Sequence, residues 1–129
     1  MKADHMAFEV ADMDKAIRFY SDVLGLPLLS RQVDEEHGEE FAFVGLEGCN
    51  IELLRHIGSE KGHVRTTSPT FSPHFAIGVS SLEEPIARLA KHGIKPVKGP
   101  LEIAGLVRWV YFADPDENII EFVQWIRSS

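Results

Sequence analysis

A single cysteine, Cys49, stands among 129 residues. It excludes an internal disulfide and offers no thiolate cluster for a structural zinc. Long apolar runs are missing too: no stretch approaches the roughly 20 residues a membrane helix needs. The opening MKADHMAFEV lacks the apolar run of a signal peptide, so the expectation is a cytoplasmic protein with no membrane partner. Positive charge is scarce. Thirteen Lys and Arg stand against 20 Asp and Glu, giving a net charge of −7. Phosphate binding needs clustered Lys and Arg, so this balance argues against nucleic acid as a partner. Neither a glycine-rich phosphate loop nor a nucleophile elbow occurs. With 44 % hydrophobic and 26 % charged residues, the balance is that of a globular chain, which excludes disorder as the whole account.

What the chain does have is an internal repeat. Residues 5–17 read HMAFEVADMDKAI and residues 74–86 read HFAIGVSSLEEPI. An offset of 69 pairs His5 with His74, Val10 with Val79, Ile17 with Ile86, and Ile51-Glu52 with Ile120-Glu121. In both halves 47 positions separate the His from the Glu.

Each half reads as strand, helix, then three strands, which makes an α+β protein of paired βαβββ modules with the helices on the outer face. The expectation is one domain over 1–129, with modules 1–55 and 71–129 and a polar linker over 56–70. In the first half, Asp12 caps a helix over about 13–24, Ala16, Ile17, Tyr20 and Leu24 form its apolar stripe, and Gly25 ends it. Strands follow near 27–33, 40–46 and 49–55. In the second half, Ser81 and Glu84 have capping-box spacing, the helix runs to about His92, and Gly93 stops it. Strands follow near 94–98, 107–113 and 119–126.

Alternation places the polar residues. Met6, Phe8 and Val10, or Phe75, Ile77 and Val79, form the face that a helix must cover. The opposite face carries His5, Ala7 and Glu9, or His74, Ala76 and Gly78, and the small neighbours leave room for a ligand. On the last strands Glu52 and Glu121 fall on that same face, while Ile51 and Leu53 read as core. One His and one Glu per half thus make a candidate metal set of His5, Glu52, His74 and Glu121. A strand His or Glu taken singly is most often structural or solvated; the equal spacing in both halves favours ligation. Imidazole with carboxylate suits Zn, Ni, Co, Mn or Fe(II) rather than Cu(I).

The stretches MAFEVADMDKAIRFYSDVLGLPL after His5, NIELL around Glu52, PHFAIGV at His74 and FADPDENIIEF up to Glu121 resemble the glyoxalase/bleomycin-resistance/dioxygenase (vicinal oxygen chelate) superfamily. The resemblance spans nearly the whole chain. It implies a curved mixed sheet around one divalent metal per chain. The His/Glu/His/Glu set is closest to that of glyoxalase I. There the metal, Ni or Co in short bacterial members, stabilises an enediolate while a Glu moves a proton α to a carbonyl. By the same resemblance Glu121 is the base, with Glu52 as the near-symmetric alternative. A small-molecule substrate and a homodimer are implied. Two positions depart from the pattern. Glu9 stands where bacterial glyoxalase I has an Arg for glutathione, and faces the cavity with a repelling charge. Glu117 stands where the turn usually has Gly, and Asn118 is expected to supply the left-handed conformation.

The same offset pairs Phe43 with Phe112 and Phe41 with Val110, putting all four on the helix-covered face. Trp109 and Tyr111 then either line the substrate cavity or pack a dimer contact or sheet edge. Arg55, Arg65, Lys98 and Arg108 are candidates for an anionic substrate group. His37, His56, His63 and His92 fall in turns, linker or helix end and are not taken as ligands. Two alternatives compete with the lyase/isomerase. An Fe(II) ring-cleaving dioxygenase needs two His and one carboxylate, so Glu52 would be surplus. A non-catalytic antibiotic-binding protein would not keep four ligands.

Overall fold

The computed structural model describes residues 1–58 and 73–126. Its chain divides into two compact units, Met1–Val64 and Arg65–Ser129. Most of the expected linker, with His63 and Arg65, lies outside the described residues.

In the first unit, β1 (His5–Glu9) leads into helix α1 (Met13–Ile17), then β2 (Leu28–Asp34), β3 (Glu39–Val44) and β4 (Asn50–His56). The sheet order is β1-β4-β3-β2, with β1 parallel to β4 and the other pairs antiparallel. The second unit repeats this with β5 (His74–Gly78), α2 (Glu83–Ala90), β6 (Lys98–Ile103), β7 (Val107–Ala113) and β8 (Ile119–Trp125), in the order β5-β8-β7-β6. Each unit is therefore a βαβββ module, the α+β architecture that the repeat predicts.

Alternation sorts β1, β4, β7 and β8 as expected, whereas β3 runs in the opposite phase. Phe8, Val10, Ala42, Val44, Ile51 and Leu53 are buried in the first module, and Val110, Phe112, Ile120 and Phe122 in the second. Burying each large side chain contributes roughly 1.5–3 kcal/mol.

Both helices differ from their sequence-based outlines. Asp12 does cap α1, accepting from Lys15 N at 3.1 Å. Past Ile17, however, the helix widens into a π-helical segment, Arg18–Val23, in which Leu24 N donates to Phe19 O at 2.9 Å. The extra residue in that ring rotates the buried face. Phe19 and Tyr20 enter the core, while Ile17 and Leu24 of the expected stripe are only half-buried. In α2 the capping box does not form. Ser81 Oγ donates to Glu83 Oε2 at 2.9 Å, and the N-terminal Leu82 N–H donates instead to Gln124 Oε1 on β8 at 3.0 Å. A strand side chain caps this helix, a partner that local spacing cannot reveal. The helix ends at Ala90, two residues short of the expected His92.

The strand expected at 94–98 lies at Lys98–Ile103 instead. A Gly-Pro dipeptide such as Gly99-Pro100 commonly marks a turn. In the fold the strand continues through it with a register shift between Lys98 and Leu101. Gly99 has φ +96°, and a Cβ there would sit 3.1 Å from Leu101 N and 3.2 Å from Trp109 O, so only glycine fits.

In the β7–β8 turn the left-handed residue is Glu117, at φ 65°, and not Asn118. Asn118 is buried and fully engaged with Asp114: its N–H donates to Oδ1 at 2.7 Å and its Nδ2 to Oδ2 at 2.8 Å. The strain therefore falls on a residue with a Cβ. Glu117→Gly is expected to stabilise the protein by about 1 kcal/mol, since left-handed backbone costs a non-glycine residue roughly 1–2 kcal/mol. A thermal melt should rise by a few degrees; an unchanged midpoint would show that the turn carries no such strain.

Candidate metal and proton-transfer site

The ladders carry one polar pair into each module. In the first, His5 opens β1 opposite Asn50, and Glu52 lies opposite Ala7 on β4. Their side chains meet on the helix-free face, with His5 Nε2 3.5 Å from Glu52 Oε1. In the second, His74 lies opposite Ile119 and Glu121 opposite Ala76, with His74 Nε2 3.0 Å from Glu121 Oε1. Both glutamates are mostly buried, at 17 % and 15 % side-chain exposure, while each remains open enough to meet a small ligand. Ala7 and Ala76, directly beside the glutamates, keep the surface flat.

The spacing can be tested against a metal. Nitrogen and oxygen ligands about 2.0–2.2 Å from one ion, 90–109° apart, lie about 2.8–3.5 Å from each other. Both pairs fall in that range. The shorter spacing also suits a direct hydrogen bond, whereas 3.5 Å exceeds one. The donor set thus fits a borderline divalent ion. Among the described residues no group of three or more His, Cys, Asp or Glu gathers in metal-holding geometry. The first module holds the His5–Glu52 pair and the second the His74–Glu121 pair.

Aromatic edges hold both imidazoles. Phe43 lies opposite Glu52 and meets His5 edge-on at 5.3 Å, and Tyr111 lies opposite Glu121 and meets His74 at 5.4 Å, each at 89°. Trp109 and Tyr111 thus sit on the face that carries Glu121, with Trp109 opposite Val123. The placement of Phe41 and Phe43 requires correction. They belong to this same face, not the helix-covered one, because Val44 pairs with Ile51 while Phe112 pairs with Ile120. The second turn is one residue longer, and a slip of one residue exchanges the faces of a strand. Tyr111, not Phe112, is the counterpart of Phe43.

His5 has a second carboxylate beside it. Its Nδ1 lies 2.7 Å from Asp4 Oδ2. That hydrogen bond raises the imidazole pKa above its ordinary value; desolvation opposes it, and the negative charges of Glu52 and Asp4 add to it. Glu9 ends β1 on the same face, 3.8 Å from His56 Nε2. His56 is the last residue of β4 and not the first of the linker. Its place in the alternation Asn50, Glu52, Leu54, His56 was the available signal, hidden by ending the strand at 55.

Two of the basic candidates are turned away from this face. Arg55 lies opposite Glu40 on the helix side, where Glu40 accepts from Arg55 Nε at 2.9 Å and Arg31 Nε at 2.8 Å. Burial pushes the Glu40 carboxyl up, but the two guanidinium hydrogen bonds outweigh it and hold the pKa below its usual value. Arg108 is engaged with Glu83 at 3.0 Å and Glu102 at 3.4 Å. Lys98, opposite Tyr111, lies on the His74- and Glu121-bearing face of its own sheet.

A family model for the Glyoxalase/Bleomycin resistance protein/Dioxygenase superfamily matches residues 2–122. The chain belongs to this superfamily. It is 31 % identical over 134 residues to the lactoylglutathione lyase of Haemophilus influenzae, covering 96 % of this chain and 93 % of that one. It is 29 % identical to the mitochondrial methylmalonyl-CoA epimerase of Mus musculus, over 90 % of this chain and 67 % of the relative. Among solved structures it resembles TnmS3, an antibiotic binding protein from Streptomyces sp. CB03234, with a TM-score of 0.70, 25 % identity and coverage of 97 % and 96 %. No helix among the described residues is long and apolar enough to cross a membrane.

Proposed function

We propose that this chain is a divalent-metal-dependent lyase or isomerase that moves a proton on a carbon α to a carbonyl. The observation that carries this is the matched pair of His–Glu contacts, at 3.5 and 3.0 Å, one in each module. His5, Glu52, His74 and Glu121 would hold the ion, which is Ni, Co, Zn or Mn. When bound, it supplies positive charge where negative charge develops on the substrate oxygen. Glu121 takes the proton from carbon and returns it, as a carboxylate poised between ligand and base. Glu52 holds the equivalent place in the first module. Phe43 and Tyr111 fix the imidazole planes. The similarity to a lyase and to an epimerase named for methylmalonyl-CoA, whose stereocentre lies α to a carbonyl, supports proton transfer as the shared chemistry. We further propose that the chain acts on a small molecule, as a homodimer.

Glu9 limits the substrate. Its carboxylate, on the face of His5 and near His56, repels the carboxylates of glutathione. The deciding experiment loads the protein with Ni, Co, Zn or Mn and follows exchange of substrate α-protons with deuterated solvent. α-Proton exchange on a small α-oxygenated carbonyl compound is expected, with the glutathione–methylglyoxal adduct exchanging slowly and Glu9→Arg accelerating it. Rapid turnover of that adduct by the wild type would reject the role of Glu9. Ligand binding without exchange of any α-proton would instead favour a binding protein, the activity named for the structural neighbour TnmS3.

A further inference from the structure

We propose that the Tyr111 hydroxyl is a catalytic group, donating a hydrogen bond to the substrate oxygen on which negative charge develops as Glu121 removes the proton. The inference rests on the proton-transfer reading above. The two modules offer a comparison within one chain. Phe43 and Tyr111 hold equivalent places, opposite Glu52 and Glu121. They meet His5 and His74 edge-on at 5.3 and 5.4 Å, with the same interplanar angle of 89°. A plain phenyl ring therefore suffices to hold an imidazole beside a glutamate, and the hydroxyl of Tyr111 is surplus to that task.

Its surroundings give it another. Tyr111 is only 4 % exposed, and its hydroxyl makes no hydrogen bond among the described residues. A buried phenol usually finds a partner, because an unmet polar group costs free energy. Among the described residues Ser21 Oγ is the one side-chain polar atom sealed from solvent without a partner, so the Tyr111 hydroxyl reaches an opening. The contact with His74 carries the ring from β7 toward β5, over β8, the strand between them that holds Glu121. A phenolic O–H placed there can donate to an oxygen of whatever Glu121 acts on. A carbonyl oxygen gains negative charge as the α-proton leaves, so a hydrogen bond to it strengthens toward the transition state. The substrate class that fits presents such an oxygen to the phenol while its acidic carbon faces the carboxylate.

Tyr111→Phe is the test, because Phe43 shows that a phenyl ring is tolerated beside a His–Glu pair. The variant should keep its fold by circular dichroism and the metal content of the wild type. With hydroxyacetone as the probe, kcat for α-proton exchange should fall about 10²-fold, the usual loss for one such donor, with KM nearly unchanged. Acetohydroxamate, which presents two adjacent oxygens, should bind about 10-fold more weakly in calorimetry, the effect of one hydrogen bond to a polar ligand. Wild-type exchange and wild-type hydroxamate affinity in Tyr111→Phe would overturn the proposal. A variant that loses its metal would also overturn it, since the phenol would then be structural. Should the wild type exchange no α-proton, the proton-transfer reading fails and the hydroxamate decides on Tyr111 alone: weaker binding in the variant keeps the donor role, and equal binding removes it. A wild type that binds no hydroxamate either would overturn both.

Discussion

Glu121→Gln is expected to slow proton transfer by roughly 10²–10⁴-fold, the usual contribution of a general base, with metal content at the wild-type level. The amide keeps an oxygen for the ion but has no site that accepts a proton at neutral pH. Metal binding favours the ionised carboxylate and so lowers its proton affinity, which means that the base must loosen from the ion to act. In the fold Glu121 lies opposite Tyr111 and 3.0 Å from His74, and the preceding turn is held by Asp114 and Asn118. Glu52→Gln should be milder. The measurement is α-proton exchange on metal-replete variants, with metal content determined on the same samples. A dead Glu52→Gln beside an active Glu121→Gln would reverse the two roles, and wild-type exchange in both would end the proton-transfer proposal.

His5→Ala and His74→Ala are each expected to lower metal affinity by more than the roughly 10–100-fold that loss of an outer partner costs, because on the proposed reading each removes a direct ligand. His37→Ala and His92→Ala are the controls. His37 is tied to Asp34 at 2.8 Å in the β2–β3 turn, and His92 follows the end of α2. Elemental analysis after reconstitution reads the result, with circular dichroism confirming that each variant folds. Full occupancy in His5→Ala or His74→Ala would remove that residue from the ligand set.

Much of this arrangement is legible in the residues themselves. The 69-residue repeat announces two βαβββ modules, and period-2 alternation puts each His and Glu on one face of its own sheet. What escaped depends on contacts outside a local window. The Gln124 cap of α2 comes from a strand about forty residues onward. The π-helical turn reflects a packing choice between Phe19 and Leu24 that helical spacing alone does not make. Arg55 looked available because its partner, Glu40, lies on a neighbouring strand. Asp4 carried no periodic signal, since a residue just outside a strand has no place in the alternation.

The longer β7–β8 turn has a consequence for anyone copying one half of this chain. The two halves correspond at one offset along β1 and β4, and at another along β3, so a splice made by aligned letters would invert a strand. A tandem built from two first halves would place phenyl rings beside both glutamates, and one built from two second halves would place phenols there. The one-residue difference between the two turns thus sets a hydroxyl-bearing ring beside one imidazole and a plain ring beside the other.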